Sequence, residues 1–218
     1  QRFLTMGFGK GTGSGAGPYI ANLIKTELGG NVVVIAIMPD PSEGRSGIAN
    51  DAYDELKRLG IPTFQFFNGK LKDHWAQINL EKPRGLTREA KHRKIDDLGP
   101  IPLIRTIHEI LQIWSPGISS DWADSKTLFG VGCYPFYGRV DFEPAKVQEV
   151  TAEQIVAGLL DNTRLQDNNR IVGAPMAMIR THGAFDDDVC EQAEELIQER
   201  LHRNSSQRCQ IFRGINSE

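Results

Sequence analysis

Glycine recurs at every second position from Gly7 to Gly17, in the run Gly7-Phe-Gly-Lys-Gly-Thr-Gly-Ser-Gly-Ala-Gly-Pro18. Alternate glycines leave backbone N–H groups uncovered by side chains, and such a loop at a helix N-terminus is a ready anion site. The run lacks the closing Gly-Lys-Ser/Thr of a Walker A loop. Nor does it fit the dinucleotide fingerprint. The acid due about twenty residues on is Glu27, inside a helix and not after a second strand. A flexible turn is the competing reading of the glycines alone. A second candidate lies in Ile118-Ser-Ser-Asp-Trp-Ala-Asp124, where Asp121 and Asp124 are three residues apart. On one helical turn they face the same way and can act together on a water or a metal ion. They can equally cap a helix, and spacing alone favours capping.

The elements that must position these groups read as α/β. A short apolar strand from Phe3 enters the glycine loop, and a helix follows from about Pro18 to Leu28, with Ile20, Leu23, Ile24 and Leu28 at helical spacing. Asn31 to Met38 is a continuous β-branched run, as in a strand buried on both faces. Pro39 to Gly47 is a turn-rich loop; Ile48 to Leu59 is a helix with Ala52, Leu56 and Leu59 inward; Ile61 to Phe67 is the next strand, ending at Asn68-Gly69. Alternating strands and helices predict a parallel sheet with right-handed crossovers. Ligands in such sheets sit beyond the carboxyl ends of the strands. The glycine loop, the loop around Glu43 and the loop at Asn68 all fall at that edge.

Lys70 to Lys94 reads as a polar, proline-broken excursion with a short helix near Arg88 to His92. A helix begins near Pro102, carries Ile104, Ile107, Leu111 and Trp114, and stops at Ser115-Pro116-Gly117. The rest reads as a separate α/β unit. Thr127 to Phe142 is a strand pair or one long bent strand, and Thr151 to Leu160 is a helix opened by a Thr151/Gln154 capping box. Arg170 to Arg180 is a strand. Asp186 to Asp188 start an amphipathic helix with Val189, Ala193, Leu196, Ile197 and Leu201 on one face, and Arg208 to Gly214 is a final strand.

Bulk properties narrow the classes. The chain has 218 residues and a formal net charge of −3, which implies no general attraction to nucleic acid or anionic membrane. Cys133, Cys190 and Cys209 are odd in number and lack metal-ligand spacing, which argues for reduced thiols in the cytoplasm and for no metal site of their own. No apolar run is long enough to span a bilayer.

The glycine run resembles the signature of the tubulin/FtsZ family, usually written GMGGGTGTGAAP, with tubulins carrying GGGTGSG. Gly117 to Asp124 is similar to that family's synergy loop, NxDFAD, which follows the long central helix. Pro39 to Gly44 resembles its ribose-contacting loop, PFxxEG. Met178 to Gly183, the acidic amphipathic helix and Ile211 to Ile215 resemble its C-terminal domain, so the likeness covers nearly the whole chain. It implies a Rossmann-like parallel-sheet GTPase domain over 1–98, a central helix linker over 99–117, and a smaller α+β C-terminal domain over 118–218 that opens with the acidic loop.

The resemblance also implies roles. Gly9, Lys10, Gly11, Thr12, Gly13, Ser14 and Gly15 fall where the family holds the phosphates of GTP or GDP through backbone N–H groups. Glu43 matches the ribose-binding acid, Asn68 lies where the family has an asparagine near the base, and Asp96 or Asp97 matches the guanine-contacting aspartate. Asp121 and Asp124 match the acids that reach the next subunit's nucleotide and position the attacking water. Each active site is then split between two molecules, and head-to-tail contacts that do not close a ring give an open filament. Mg accompanies GTP in this reading, and membrane-adaptor proteins are met through a tail beyond Glu218.

Several residues depart from the pattern. Lys10 replaces a signature glycine, the family's ribose-loop arginine falls at Gly47 while Arg45 is two residues early, Ser119 replaces an asparagine, and Gly99-Pro-Ile-Pro102 interrupts the start of the central helix. The family's first strands and loops would precede Gln1 and its last strand would follow Glu218. A sheet without them exposes an apolar edge, so residues 1–218 alone are expected to bind GTP poorly and to aggregate. Two other classes stay open: a tubulin-like scaffold that binds nucleotide without hydrolysing it, for plasmid partition or cell shape, and a dinucleotide-binding oxidoreductase domain.

Overall fold

The computed structural model describes residues 2–70, 135–142, 144–161, 176–182, 185–202 and 209–216, with single positions at 104, 106–108, 110, 123, 127, 128 and 174. The chain divides into two compact units, the first built on Gln1–Leu111 and the second on most of 112–218.

In the first unit the β-branched run forms β2, Val32–Met38, and four consecutive residues from Val33 to Ala36 are fully buried. Strands β1, Arg2–Gly7, and β3, Thr63–Phe67, flank it, and both pairings are parallel. Register sets the two faces. Leu4 lies opposite Val34 and Met6 opposite Ala36. These side chains, with Met38, join the core beneath two helices, α1, Gly17–Glu27, and α2, Ser46–Arg58. Val33, Ile35, Phe64 and Phe66 take the opposite face and are buried too, with the two phenyl rings stacked at 6.1 Å. Burial of each such side chain contributes about 1.5–3 kcal/mol, which explains why β2 tolerates no polar residue.

The two helices reach this core differently. Helix α2 presents Ala49, Ala52, Tyr53 and Leu56 at i, i+3, i+4 and i+7, as its pattern predicts. Helix α1 packs through Gly17, Pro18 and Ala21, with Ile24 partly buried, while Ile20, Leu23 and Leu28 are 41%, 43% and 58% exposed. The reason is proximity: a Cβ on Gly17 would overlap the sulfur of Met6 on β1. The helix lies too close to the strand for large side chains to fit between. Lys25 of α1 donates from Nζ to the carbonyl of Leu59 at 2.7 Å, which places a cation at the negative end of α2.

In the second unit the predicted capping box is present. Thr151 N–H donates to Gln154 Oε1 at 3.0 Å and Gln154 N–H to Thr151 Oγ1 at 3.4 Å, opening helix α3, Ala152–Asp161. Helix α4, Asp187–His202, starts where Asp188 N–H donates to Asp186 Oδ1 at 2.9 Å, and it buries Cys190, Ala193, Ile197 and Leu201. Strands β4, Met176–His182, and β5, Gln210–Asn216, pair in parallel, so the two predicted strands exist with shifted limits.

The expected strand pair over Thr127 to Phe142 is corrected. Positions 127 and 128 are helical, and 135–142 is irregular chain. Among the described residues, Gly138 and Val140 pack onto α3. A Cβ on Gly138 would overlap the carbonyl of Leu159, and one on Gly158 would meet Val140 Cβ at 2.7 Å. The described positions from 104 to 110 are helical, in line with the helix predicted near Pro102. The readings at 71–94, including Arg88 to His92, and at Gly99 to Pro102, Leu111 and Trp114 lie outside the described residues. Among the described residues, no helix is long and apolar enough to cross a membrane.

Candidate functional site

Because β1, β2 and β3 are parallel, Gly7, Met38 and Phe67 end at one edge of the sheet. The three segments that leave this edge touch. Gly9 has φ 87°, a left-handed conformation open to glycine, and a Cβ there would lie 3.0 Å from Pro39 Cγ and 3.2 Å from Arg45 Cβ. Asn68 Nδ2 donates to Glu43 Oε1 at 3.4 Å, and Gly69 approaches Asp40 so closely that a Cβ would lie 3.2 Å from Oδ2. The predicted convergence is therefore present.

The glycine run is not the open loop expected from its sequence. After Lys10, which is extended at φ −128° and ψ 165°, residues Gly11–Ala16 wind into a wide π-helical turn that continues directly into α1. The helix thus starts some seven residues before Pro18. Glycine is a poor helix former, but tertiary contact overrides this: Gly13 rests on the carbonyl of Gly7, where a Cβ would overlap the oxygen. Gly9 N–H donates to Ser14 Oγ at 2.8 Å and Ser14 N–H to the Lys10 carbonyl at 3.1 Å, closing the turn. The first N–H groups, those of Gly11, Thr12 and Gly13, have no acceptor within the coil. Gly11 and Gly15 border open space, with nothing within 4 Å of where a Cβ would sit. The coil is a cradle in which Gly11 and Gly15 bear no side chain and backbone donors are available.

The second loop is self-capped. Asp40 Oδ1 accepts from Ser42 N–H at 2.9 Å and from Ser42 Oγ at 2.7 Å, while Glu43 Oε1 accepts from Asp40 N–H at 2.9 Å. Pro41–Glu43 forms one 3₁₀ turn and Gly44 closes it at φ 66°. The Glu43 carboxylate is thus held toward Asn68, and the two residues singled out separately in the sequence form one pair. Arg45 carries more than the sequence suggests. It is not merely a displaced arginine, because its Cβ stands against Gly9. The only sequence signal for this is a cation immediately before the α2 helix.

Asp97, Asp121 and Asp124 lie outside the described residues, as do Asp96 and Ser119. A shallow groove of about 500 Å³ runs between the coil, α1 and α2, lined by Lys10, Gly11 and Gly15 on one wall and by Ile48, Asp51 and Leu59 on the other. Glu43 and Asn68 do not line it, so the groove and the Glu43–Asn68 pair are separate features of this unit.

Comparison with known proteins gives a consistent set of likenesses. No family model matches the chain. The cell division protein FtsZ 1 of Pyrococcus abyssi is 29% identical over 220 residues, covering 99% of this chain and 53% of the relative. The cell division protein FtsZ of Pseudomonas aeruginosa is 32% identical over 175 residues, covering 75% of this chain and 40% of the relative. The tubulin-like protein CetZ of Pyrococcus furiosus is 25% identical over 218 residues, covering 98% and 55%. The chain therefore spans about half the length of the curated relatives it matches. Among solved structures, an empty FtsZ dimer of M. jannaschii superposes with a TM-score of 0.60 at 22% identity, over 99% of this chain and 58% of that one. TubZ of Bacillus thuringiensis serovar israelensis, solved as GDP-form protofilaments, superposes with a TM-score of 0.67 at 15% identity, over 100% and 61%. At these identities the structural likenesses establish the fold.

Proposed function

The chain belongs to the tubulin/FtsZ family, and from that premise we propose that its parent protein binds GTP and GDP at the edge where β1, β2 and β3 end. In this reading it assembles head-to-tail into cytoplasmic filaments and hydrolyses GTP where two subunits meet, in the service of cell division. The observation that carries the proposal is the meeting of three segments from three strands: Gly9 against Pro39 and Arg45, and Glu43 against Asn68. A glycine motif alone would be weak; a glycine cradle joined to an acid–amide pair at the carboxyl edge of a parallel sheet is specific.

Each residue then has a task. The N–H groups of Gly11, Thr12 and Gly13 receive phosphate oxygens, and charge-assisted bonds of that kind contribute about 1.5–3 kcal/mol each. The open faces of Gly11 and Gly15 let phosphate approach the backbone. Glu43 receives the ribose hydroxyls, which requires its bond to Asn68 to loosen or be shared, and Asn68 with Asp97 meets the guanine. Asp121 and Asp124, from the neighbouring subunit, orient and polarise the attacking water. Magnesium is carried by the phosphate oxygens; among the described residues no group of three or more His, Cys, Asp or Glu is arranged to hold it. The nucleotide domain takes 1–98, the central helix 99–117 and the C-terminal domain 118–218. Membrane-adaptor proteins are further partners in this reading.

The test is GTP turnover per molecule of the full-length protein over a range of protein concentrations, with Asp124→Ala alongside. Turnover that rises above a threshold concentration and vanishes in the variant supports a site shared between subunits. Nucleotide binding without turnover at any concentration supports the scaffold reading, which Lys10 in a glycine position favours. Absence of guanine-nucleotide binding refutes both.

A further inference from the structure

We infer that the groove between α1 and α2 is an interface between two copies of this chain, packed end for end about a two-fold axis. It lies apart from the Glu43–Asn68 pair and is distinct from the head-to-tail contact proposed above. Helices α1 and α2 follow strands that run parallel, so both point the same way. The outward faces of such helices are ordinarily polar. Here Tyr19 of α1 is 68% exposed and Ile48 of α2 is 55% exposed, and both line the groove. Between them the groove floor is apolar as well, with Pro18 and Ala52. Single exposed apolar residues are normal, but large ones that share a groove mark a contact with another protein.

The charges select the occupant. Lys10 stands where the coil begins, and Asp51 lies on α2 beyond its start at Ser46. The two starts are level, because the Cβ of Arg45, just before α2, is 3.2 Å from where a Gly9 Cβ would be. At a rise of about 1.5 Å per residue, Asp51 is then about 7 Å farther along the groove than Lys10. Both side chains are exposed, and among the described residues neither forms an ion pair. The other acid of the groove, Glu55, is held by Arg58. A partner of one charge would be repelled at one of these two positions. A second copy turned end for end is not: each Lys10 comes to the partner's Asp51, twice over. Ile48, three residues before Asp51, falls midway between the charges, so the two Ile48 side chains meet near the axis. Such self-complementarity is what a two-fold contact requires. One contact of this kind is weak by itself. Repeated along two filaments it becomes strong, because each later contact forms within an assembly already joined; that extension alone rests on the proposed assembly.

The experiment is sedimentation equilibrium of the full-length protein over a concentration series, at low and high salt. Beside it, an equal mixture of unlabelled and heavy-nitrogen protein is treated with a zero-length carbodiimide crosslinker, which joins a lysine amine to a carboxylate only where they touch. Nucleotide is left out, so any contact of Lys10 with phosphate does not enter. We expect reversible self-association that weakens as salt rises, and a Lys10–Asp51 crosslink that joins an unlabelled peptide to a heavy one. Asp51→Lys and Ile48→Asp should each weaken association about tenfold or more. Lys10→Glu combined with Asp51→Lys should restore it, which separates a lost contact from a lost fold. Three results overturn the interface: Lys10–Asp51 crosslinks confined to one copy, association equal in wild type and Asp51→Lys, or a double variant no better than the single one. A wild type that stays monomeric at every concentration overturns it as well. Each of these leaves the nucleotide reading standing.

Discussion

Among the described residues, the longer helices of the two units start by different rules, although the short Pro41–Glu43 turn of the first unit is capped by Asp40. In the second unit, α3 opens with a reciprocal Thr151/Gln154 box and α4 with Asp186, so each first turn has an oxygen to accept its N–H groups. In the first unit, the glycine coil opens after Lys10 and α2 after Arg45, and neither supplies an acceptor. Chance does not distribute the exceptions evenly: both lie at the carboxyl edge of the sheet, around Gly9. Where a helix start has only to be stable, the local rule is obeyed. Where it is broken, the proposed nucleotide is the source of the missing oxygen.

The largest test of this contrast concerns the glycines, which serve two ends. Gly13→Ala sets a methyl group on the Gly7 carbonyl, backbone against backbone, and one of the two must move. We expect a loss of about 3 kcal/mol or more, read as a fall in the urea unfolding midpoint. Gly11→Ala meets nothing within 4 Å. It should leave stability within about 1 kcal/mol of wild type while impairing GTP binding. Should both variants unfold alike, the division between packing and ligand-facing glycines is wrong.

The caps give the next effect in size. Asp186→Ala removes the acceptor of the Asp188 N–H and should cost about 1 kcal/mol in thermal melts. Arg45→Ser, the opposite change at the other kind of helix start, should cost nothing. An Asp186→Ala protein as stable as wild type would break the comparison from its conventional side.

Much of this is legible in the sequence, for physical reasons. The β2 run can be read because burial on both faces excludes polar residues, and α2 because its spacing matches one helical face. The Thr151/Gln154 box is visible because capping is local chemistry. What sequence reading misses depends on distance in space. Nothing local announces that Gly13 and Gly17 press on β1, so the sequence suggests a loop where the coil stands and a start for α1 near Pro18. Nor does anything local announce that Gly138 and Gly158 let the irregular chain of 137–142 press on α3, where the sequence suggests a strand. At the site, the residue types at Gly9, Glu43 and Asn68 are legible from motif likeness, but their contacts are not, and Arg45 stands out only as a displacement. Asp97, Asp121 and Asp124 remain expectations from motif likeness alone.

The smallest effect lies within α2 itself, in an exposed ion pair. Arg58 donates from Nε to Glu55 Oε2 at 3.0 Å and from Nη2 to Glu55 Oε1 at 2.6 Å, three residues apart on an exposed face. The hydrogen bond from Arg58 holds the Glu55 carboxyl below its ordinary value of 4.5, and the nearby positive charge adds to this. A folded-state pKa below the unfolded one gives stability that is present above 4.5 and lost as pH falls through the folded value. Water screens a pair this exposed, so the lost stability should be too small to move the melting midpoint. Carboxyl NMR titration should nevertheless find Glu55 titrating low in wild type and at its ordinary value in Arg58→Ala. If Arg58→Ala instead melts as early as Asp186→Ala, exposed charge pairs matter here as much as caps do.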